Sequence, residues 1–173
     1  MIFLSGIHGV GKTCFCNLVK EELGIKSYSA SQLIAEKRNK GFMADKFVSD
    51  IDDNQLLLIE AIDELRQNQE EFILDGHFCL LDAYGKVTRI PYNTFELLKP
   101  DAIILLTEKP DIIAERRFQR DNIIQDICEI REFQETETQY AQEVSQNFGV
   151  PLQISQGVND LEHIIDFIKA GGF

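Results

Sequence analysis

The 173-residue sequence lacks any apolar run that approaches the ~20 residues of a membrane-spanning helix. The apolar residues Ile2–Leu4 near its start are too few for a signal peptide, and no basic flank precedes them. It also lacks repeats, low-complexity tracts and linkers rich in proline or serine. These absences argue against a membrane protein and predict a single domain over residues 1–173, located in the cytoplasm.

Basic residues are scarce, with 17 lysines and arginines against 29 acidic residues and a net charge of −12. A surface of this charge repels phosphate backbones, so we expect no generic nucleic-acid binding. A few bases gathered in one cleft can still bind a small anion. The positions of the arginines therefore matter more than their number.

The four cysteines form no C-x-x-C pair, and no histidines lie at matched spacing, so we expect no zinc site. Cys14 and Cys16 fall at the start of a predicted helix, where their side chains point to different faces. We expect all four cysteines to be reduced thiols.

Apolar segments alternate with helical patterns along the whole chain. Strands are predicted over Ile2–Ser5, Lys26–Ala30, Phe72–Leu74, Ala102–Leu106 and Pro151–Ile154. Helices are predicted over Lys12–Leu23, Asp52–Leu65, Pro110–Arg116, Ile124–Phe148 and Leu161–Ile168. A further helix is predicted to begin after a cap at Ser31. Strands separated by helices indicate a parallel sheet with right-handed crossovers and helices on both faces.

The segment Phe78–Ile90 interrupts this alternation, with two β-like arms around Ala83–Gly85 that predict a small hairpin. Asn93–Glu96 then has the pattern of a capping box and predicts the start of a short helix.

The octet GIHGVGKT, Gly6 to Thr13, matches the pattern of a phosphate-binding loop between a predicted strand and a predicted helix. Its glycines let backbone N–H groups turn inward, and the following helix points its positive end at the phosphates. Lys12 is expected to bridge the β- and γ-phosphates of a nucleoside triphosphate, and the Thr13 hydroxyl to bind Mg²⁺. His8 contacts phosphate or acceptor, or is an exposed spacer. The predicted nucleotide-binding residues here are Gly6, His8, Gly9, Val10, Gly11, Lys12, Thr13 and Cys14.

Asp75 follows the strand Phe72–Leu74 and lies at the carboxyl end of the predicted sheet, where open α/β sheets bind ligands. We expect it to act on Mg²⁺ through water, although an aspartate that only ends a strand has the same pattern. His77 points into the same region and either binds the acceptor, assists its proton loss, or is an ordinary loop histidine.

Arg116, Arg117 and Arg120 lie within five positions of an otherwise acidic protein. On a helix, Arg116 and Arg120 share a face and Arg117 lies about 100° away. Guanidinium groups near the strand ends can clamp a transferring phosphoryl group, so we interpret all three as catalytic. The alternative is a solvated helix face, paired with Glu115 and Asp121.

Arg38 follows the second predicted strand and is interpreted either as an acceptor-binding residue or as a solvated one. Two further patterns resemble those of regulatory GTPases, namely Asp82–Gly85 and Glu108–Asp111. Their separation is too short for the two strands and the helix expected between them, so a GTPase is the least favoured hypothesis.

Three segments together resemble the P-loop kinases of the nucleoside monophosphate kinase type, and the archaeal-type adenylate kinases most of all. They are GIHGVGKT, FILDGHF, and LKPDAIILL followed by PDIIAERRFQRD. The resemblance implies a three-layer α/β/α P-loop fold with a five-stranded parallel sheet of order 2-3-1-4-5. It also implies a helical acceptor-binding portion near residues 29–65 and a short lid near residues 117–130.

The resemblance further implies Mg-ATP as donor, with Lys12, Thr13 and Asp75 at donor and metal, and Arg117 and Arg120 in the lid. The purine would lie near the loop Ser155–Asn159, which makes Gln156 a nucleotide-binding residue. The favoured hypothesis is therefore an ATP- and Mg²⁺-dependent phosphotransferase acting on a small nucleotide-like acceptor. The alternative is a nucleotide-binding regulatory ATPase without a small-molecule acceptor.

Overall fold

The structure is a computed structural model that describes residues 1–39, 52–68, 71–82 and 84–171. Residues 40–51 of the predicted acceptor-binding portion, and Ala83 of the predicted turn, lie outside the described residues. The strands are β1 (Ile2–Ser5), β2 (Lys26–Ser29), β3 (Phe72–Asp75), β4 (Cys79–Leu81), β5 (Val87–Arg89), β6 (Ala102–Leu106) and β7 (Leu152–Ser155). The helices are α1 (Lys12–Leu23), α2 (Ala30–Asn39), α3 (Asp52–Asn68), α4 (Tyr92–Leu98), α5 (Pro110–Asp121), α6 (Ile127–Phe148) and α7 (Leu161–Gly171), with a 3-10 helix over Gly157–Asp160.

Five strands form one parallel sheet in the order β2-β3-β1-β6-β7. When only these five strands are counted along the chain, the order is 2-3-1-4-5, which confirms the prediction. Strands β4 and β5 pair antiparallel as a separate hairpin, which is the one predicted within Phe78–Ile90. The carboxyl ends of β1, β3 and β6 therefore meet at one edge of the sheet, where parallel sheets place their ligand sites.

The centre of the sheet is completely buried, because β1 and β6 carry side chains that meet helices on both faces. Next to β1 lies a cluster of three aromatic rings. The ring centroids of Phe3 and Phe78 are 5.1 Å apart, those of Phe3 and Phe95 are 5.6 Å apart, and Phe78 stacks on Phe95 at 4.8 Å. All three rings are 2% exposed or less, so the cluster is part of the core beneath α4 and the hairpin.

Three predicted helix starts were wrong by a few residues. Helix α2 begins at Ala30, so Ser31 lies within it and does not cap it. Helix α4 begins at Tyr92 after Pro91, whose φ of −54° suits a helix entry, and no side-chain capping bond forms, so the Asn93–Glu96 capping box is absent. Helix α6 begins at Ile127 because the Asp126 carboxylate accepts a hydrogen bond from the backbone N–H of Cys128.

All four cysteines are free thiols, as expected, with Cys14 exposed and Cys16 buried. Within the described ranges, no helix is long and apolar enough to cross a membrane.

Candidate functional site: a phosphate-binding loop opening into a cavity

The loop between β1 and α1 has the backbone of a phosphate-binding loop. Gly6, Gly9 and Gly11 have φ angles of 139°, 84° and 111°, in the region that favours glycine. At Gly6 a Cβ would lie 2.6 Å from the carbonyl oxygen of Leu106, so only glycine fits beside β6. The loop thus turns its backbone toward the carboxyl edge of the sheet at the start of α1, as the sequence predicted.

Lys12 is folded across this loop and is only 8% exposed. Its Nζ donates to the carbonyl oxygen of Gly6 at 2.5 Å and lies 3.1 Å from Nε2 of His77 and 3.9 Å from Oδ1 of Asp75. Burial lowers the pKa of Lys12, and Asp75 opposes this effect. Burial also raises the pKa of Asp75, and Lys12 opposes that shift in turn. The loop lysine and the end of β3 therefore form one compact polar cluster.

His77 is a neutral imidazole within this cluster. Burial first, and then the charges of Lys12 and His8, lower its pKa to about 2. Its Nε2 accordingly accepts a hydrogen bond from the Lys12 ammonium. The His77 ring lies 4.5 Å from the ring of His8, centroid to centroid, so both histidines stand at the same mouth of the loop.

The arginines of α5 rest on the loop. Arg116 donates from Nη1 to the carbonyl oxygen of Val10 at 3.0 Å, and its Nη2 lies 3.1 Å from a Glu108 carboxylate oxygen. Arg117 packs against Gly9, where a Cβ would lie 3.0 Å from its Cγ, and its Nε donates to the carbonyl oxygen of His8 at 2.8 Å. Two of the three predicted arginines thus hold carbonyl groups of the loop.

The remaining groups of these arginines differ in what they contact. The Nη1 of Arg117 donates to the side-chain oxygen of Gln125, whereas its Nη2 is buried and has no partner among the described residues. Arg120 forms two hydrogen bonds with Asp121 at the surface. This contact is the one expected from the alternative interpretation, in which the arginines lie on a solvated helix face. The buried, unpaired Nη2 of Arg117 is the kind of donor that an anion would satisfy.

A cavity of about 500 Å³ begins at the phosphate-binding loop and continues between α2, α3, the β4–β5 hairpin and α4. Nine of the predicted site residues line it: His8, Gly9, Gly11, Lys12, Thr13, Asp75, His77, Arg116 and Arg120. Beyond them, the wall is largely apolar and includes Phe3, Ile34, Leu58, Leu80 and Phe95. The structure therefore brings most of the predicted site together in one cavity, which also extends between α2, α3 and α4.

The other predicted residues, including Arg117, do not line this cavity. Gly6 and Val10 belong to the loop but are buried, and Cys14 is exposed on α1. Arg38 is exposed and donates to the side-chain oxygen of Asn54 at 2.7 Å. Gln156 is exposed, and its backbone N–H donates to Asp160.

Glu137, for which the sequence predicted no role, is 1% exposed and lies inside the protein. Its carboxylate accepts hydrogen bonds from the Ser5 hydroxyl at 2.5 Å and from the backbone N–H groups of Phe78 and Cys79 at 2.9 and 2.6 Å. It thereby joins the residue that precedes the loop to the segment that follows His77. The sequence does contain a signal that Glu137 is buried. It interrupts the apolar stripe of α6 that contains Ile130, Phe133, Tyr140 and Val144.

A magnesium nucleotide fits the residues present. For the phosphates, the loop offers backbone N–H groups and Lys12, and α5 offers the unpaired Nη2 of Arg117. For Mg²⁺, Thr13 and Asp75 carry the oxygen ligands that this ion prefers. Within the described part of the chain, no group of three histidine, cysteine or acidic side chains can hold a metal by itself.

The two GTPase-like patterns are used differently in the structure. Asp82 lies in the hairpin turn, where its Oδ1 accepts from the backbone N–H groups of Tyr84 and Lys86, both at 2.9 Å. Glu108 pairs with Arg116 and accepts from the backbone N–H of Lys109. Asp82 thus lies in the hairpin turn and not at the end of β3, so the GTPase hypothesis loses this support.

The strand, glycine loop and helix, with the sheet order above, define a P-loop α/β protein with helices on both faces of its sheet. Residues 5–134 match the family model described as an AAA domain, and the chain belongs to that family.

Two archaeal proteins named as adenylate kinases are also similar to this chain. A putative adenylate kinase of Methanocaldococcus jannaschii is 30% identical over 122 residues, which are 69% of this chain and 58% of that protein. This match spans less than two thirds of the relative's length. An adenylate kinase of Thermoplasma acidophilum is 26% identical over 87% of this chain and 86% of its own length. These matches confirm the predicted resemblance to archaeal-type adenylate kinases.

Solved structures agree with the fold. A gluconokinase from Sinorhizobium meliloti 1021 superposes with a TM-score of 0.52 at 17% identity, over 98% of this chain and 89% of that one. An uncharacterised protein from Eubacterium ventriosum gives a TM-score of 0.56 at 13% identity, over 98% of both chains. At these identities the likeness establishes the fold.

Proposed function

We propose that the protein is an ATP- and Mg²⁺-dependent phosphotransferase that moves the γ-phosphoryl group to a small acceptor of the nucleotide or nucleoside class. The observation that carries the proposal is the continuous cavity of about 500 Å³, which extends from the loop lysine into the space between α2, α3 and α4. A protein that only hydrolysed ATP would need no such space for an acceptor beside the transferable phosphate. The adenylate kinase names of its relatives point to the same class of reaction.

On the donor side, the loop N–H groups and Lys12 would bind the phosphates, and the Thr13 hydroxyl would bind Mg²⁺ directly. Asp75 would reach the metal through water from the end of β3. Bound Mg²⁺ would neutralise charge on the β- and γ-phosphates. The buried Nη2 of Arg117 supports a role in phosphate binding, because the guanidinium is already held over Gly9 and lacks only an acceptor.

Transfer would require little covalent chemistry from the protein. A bond forms between the acceptor oxygen and the γ-phosphorus, while the bond from that phosphorus to the β–γ bridging oxygen breaks and ADP leaves with the electron pair. Engagement of Lys12 with phosphate would free Nε2 of His77 to accept a hydrogen bond from an acceptor hydroxyl and so orient it. With a pKa of about 2 the imidazole would not hold the proton, which would pass to solvent. Arg116 and Arg120 line the same cavity and would stabilise charge on the transferring group.

The finer assignments belong to this proposal. Residues 29–65 would hold the acceptor and residues 117–130 would close over the donor as a lid. Arg38 and His77 remain proposed acceptor contacts, and Arg38 would have to leave Asn54 to reach the cavity. Gln156 remains a proposed purine contact, and location in the cytoplasm remains a prediction from composition.

The alternative is a regulatory ATPase that acts with a protein partner. Its supporting observation is a group of exposed apolar side chains where α5 joins α6, namely Phe118, Ile123, Ile124 and Ile127. Such a group is typical of a surface that another protein covers. The regulatory hypothesis expects slow ATP hydrolysis that no small acceptor stimulates.

The proposal is tested by measuring ADP formation from Mg-ATP, with purified protein alone and with a panel of nucleosides, nucleoside monophosphates and polyols. Lys12→Ala, which removes the loop ammonium, serves as the blank. Strong stimulation by one acceptor that is lost in Lys12→Ala supports a kinase. A slow rate that is indifferent to every acceptor favours the regulatory ATPase.

A further inference from the structure

We propose that Glu137 is a positioning residue for His77. Its buried carboxylate fixes the peptide that follows the histidine, and thereby holds the imidazole at the place from which it orients the acceptor hydroxyl. This inference rests on the proposed function, because it concerns a residue that acts on the acceptor in that reaction.

His77 lies between two peptide groups that are anchored from outside its own segment. On one side, the N–H of Gly76 donates to the carbonyl oxygen of Leu4 in β1 at 2.9 Å. On the other side, the N–H of Phe78 donates to Oε1 of Glu137 at 2.9 Å. This second N–H belongs to the planar peptide that contains the His77 carbonyl, so its direction constrains the backbone from which the imidazole extends.

Both oxygens of the Glu137 carboxylate are used. Oε2 accepts from the backbone N–H of Cys79 at 2.6 Å, and Oε1 accepts from the Ser5 hydroxyl in addition to the N–H of Phe78. Ser5 ends β1 and directly precedes the phosphate-binding loop. Hydrogen bonds to a charged acceptor are stronger than neutral ones, and burial strengthens them further. One side chain of α6 therefore joins the base of the loop to the segment that carries His77.

The hydrogen bond that holds the imidazole ring is the one that nucleotide binding removes. Among the described residues, the ring makes one hydrogen bond, between Nε2 and Nζ of Lys12 at 3.1 Å, and it packs against the exposed His8. In the proposed reaction Lys12 turns to the phosphates, and this hydrogen bond is lost. The backbone anchor at Glu137 then keeps the imidazole of His77 at the cavity that it lines.

Glu137→Gln tests this anchor with little change in side-chain volume. A glutamine presents one oxygen and one NH₂ group to two backbone N–H donors, so one of the two donors loses its acceptor. Displacing a reacting group by about 1 Å lowers a rate by up to about 100-fold, so we expect kcat to fall at least about tenfold while the KM for ATP changes less than about threefold. Glu135→Gln makes the same change at an exposed position of the same helix and should leave both constants unchanged.

The state of His77 is read without any acceptor, by nitrogen nuclear magnetic resonance of the protein with isotopically labelled histidine. His77→Ala assigns its signals among the three histidines. In the unaltered protein and in Glu135→Gln, we expect one tautomer, with Nε2 unprotonated toward Lys12. In Glu137→Gln the imidazole should lose that preference, while the signals of the exposed His163 on α7 stay unchanged and show that the fold is intact.

A double-mutant cycle separates a positioning role from a merely structural one. Because Glu137 acts through His77, Glu137→Gln should lower kcat in the unaltered protein and add nothing in the His77→Ala background. A structural defect would lower kcat by the same factor in both backgrounds. Glu137→Asp, whose carboxylate is one methylene shorter, takes the place of Glu137→Gln in every measurement if the glutamine variant does not fold.

The possible results are distinguishable. Loss of the single tautomer in Glu137→Gln, with a fall in kcat that requires His77, supports the inference. An unchanged His77 tautomer, an unchanged kcat, or equal reductions of kcat in both backgrounds overturns it, while the proposed kinase activity stands. Absence of phosphate transfer to any acceptor by the unaltered protein overturns the proposed function and the use of His77 in it together. In that case the spectra still decide whether Glu137 holds the imidazole.

Discussion

Glu137→Ala is expected to destabilise the protein severely, because it removes the acceptor of three buried hydrogen bonds. The Ser5 hydroxyl and the N–H groups of Phe78 and Cys79 would lose their acceptor inside the protein, since the Glu137 side chain is only 1% exposed. Each unsatisfied buried donor costs about 1–3 kcal/mol. We allow for partial relaxation and expect a loss of about 3–6 kcal/mol in the free energy of unfolding. Domains of this kind have only about 5–15 kcal/mol in total.

The assay is urea unfolding followed by far-ultraviolet circular dichroism, since the chain contains no tryptophan. Glu143→Ala is the matched control, because Glu143 lies on the same helix and makes a solvent-exposed ion pair with Arg89. Exposed ion pairs contribute about 0–1 kcal/mol, so the control should change little. A Glu137→Ala variant that loses no more stability than Glu143→Ala would refute the reasoning. Glu137→Gln keeps one acceptor oxygen and should fall between the two.

Other predictions concern the loop and its histidine. Because the pKa of His77 is about 2 in the folded protein and 6.5 in the unfolded chain, stability should fall as the pH drops below 6.5. The loss should reach about 2 kcal/mol near pH 5, measured by urea unfolding. It should be smaller in His77→Asn, where only His8, whose pKa burial also lowers, still contributes, and it should be retained in His163→Asn. Equal slopes in both variants would contradict the reasoning. Gly9→Ala should weaken ATP binding at least about tenfold by calorimetry, because the residue has a φ of 84° and faces Arg117. Arg117→Lys should also weaken ATP binding, since lysine cannot hold the His8 carbonyl and a phosphate together. Unchanged ATP binding in either variant would show that Arg117 and the loop are not coupled.

The phosphate-binding loop and the parallel sheet could be predicted from local signals, whereas the strand order was implied by the resemblance to nucleoside monophosphate kinases. The octet Gly6–Thr13 requires a strand before it and a helix after it, and the right-handed crossover rule then limits how the strands can pair. The shared face of Arg116 and Arg120 likewise follows from helix periodicity, and both line the cavity.

What escaped prediction depends on contacts between distant parts of the chain. Glu137 meets Ser5, which is 132 residues away in sequence, and nothing near either residue indicates the contact. The engagement of Arg38 with Asn54 and the unpaired Nη2 of Arg117 are also tertiary facts. Helix starts such as α4 were missed because Pro91 sets the entry locally and outweighs the capping pattern that follows.

The most direct measurement follows the γ-phosphate itself, with isotopically labelled Mg-ATP and mass spectrometric detection of products in the presence of the acceptor panel. If the protein is a phosphotransferase, the label appears on one acceptor in step with ADP, and Lys12→Ala transfers none. If all the label appears as inorganic phosphate whatever acceptor is supplied, the protein is an ATPase and the phosphotransferase function is wrong.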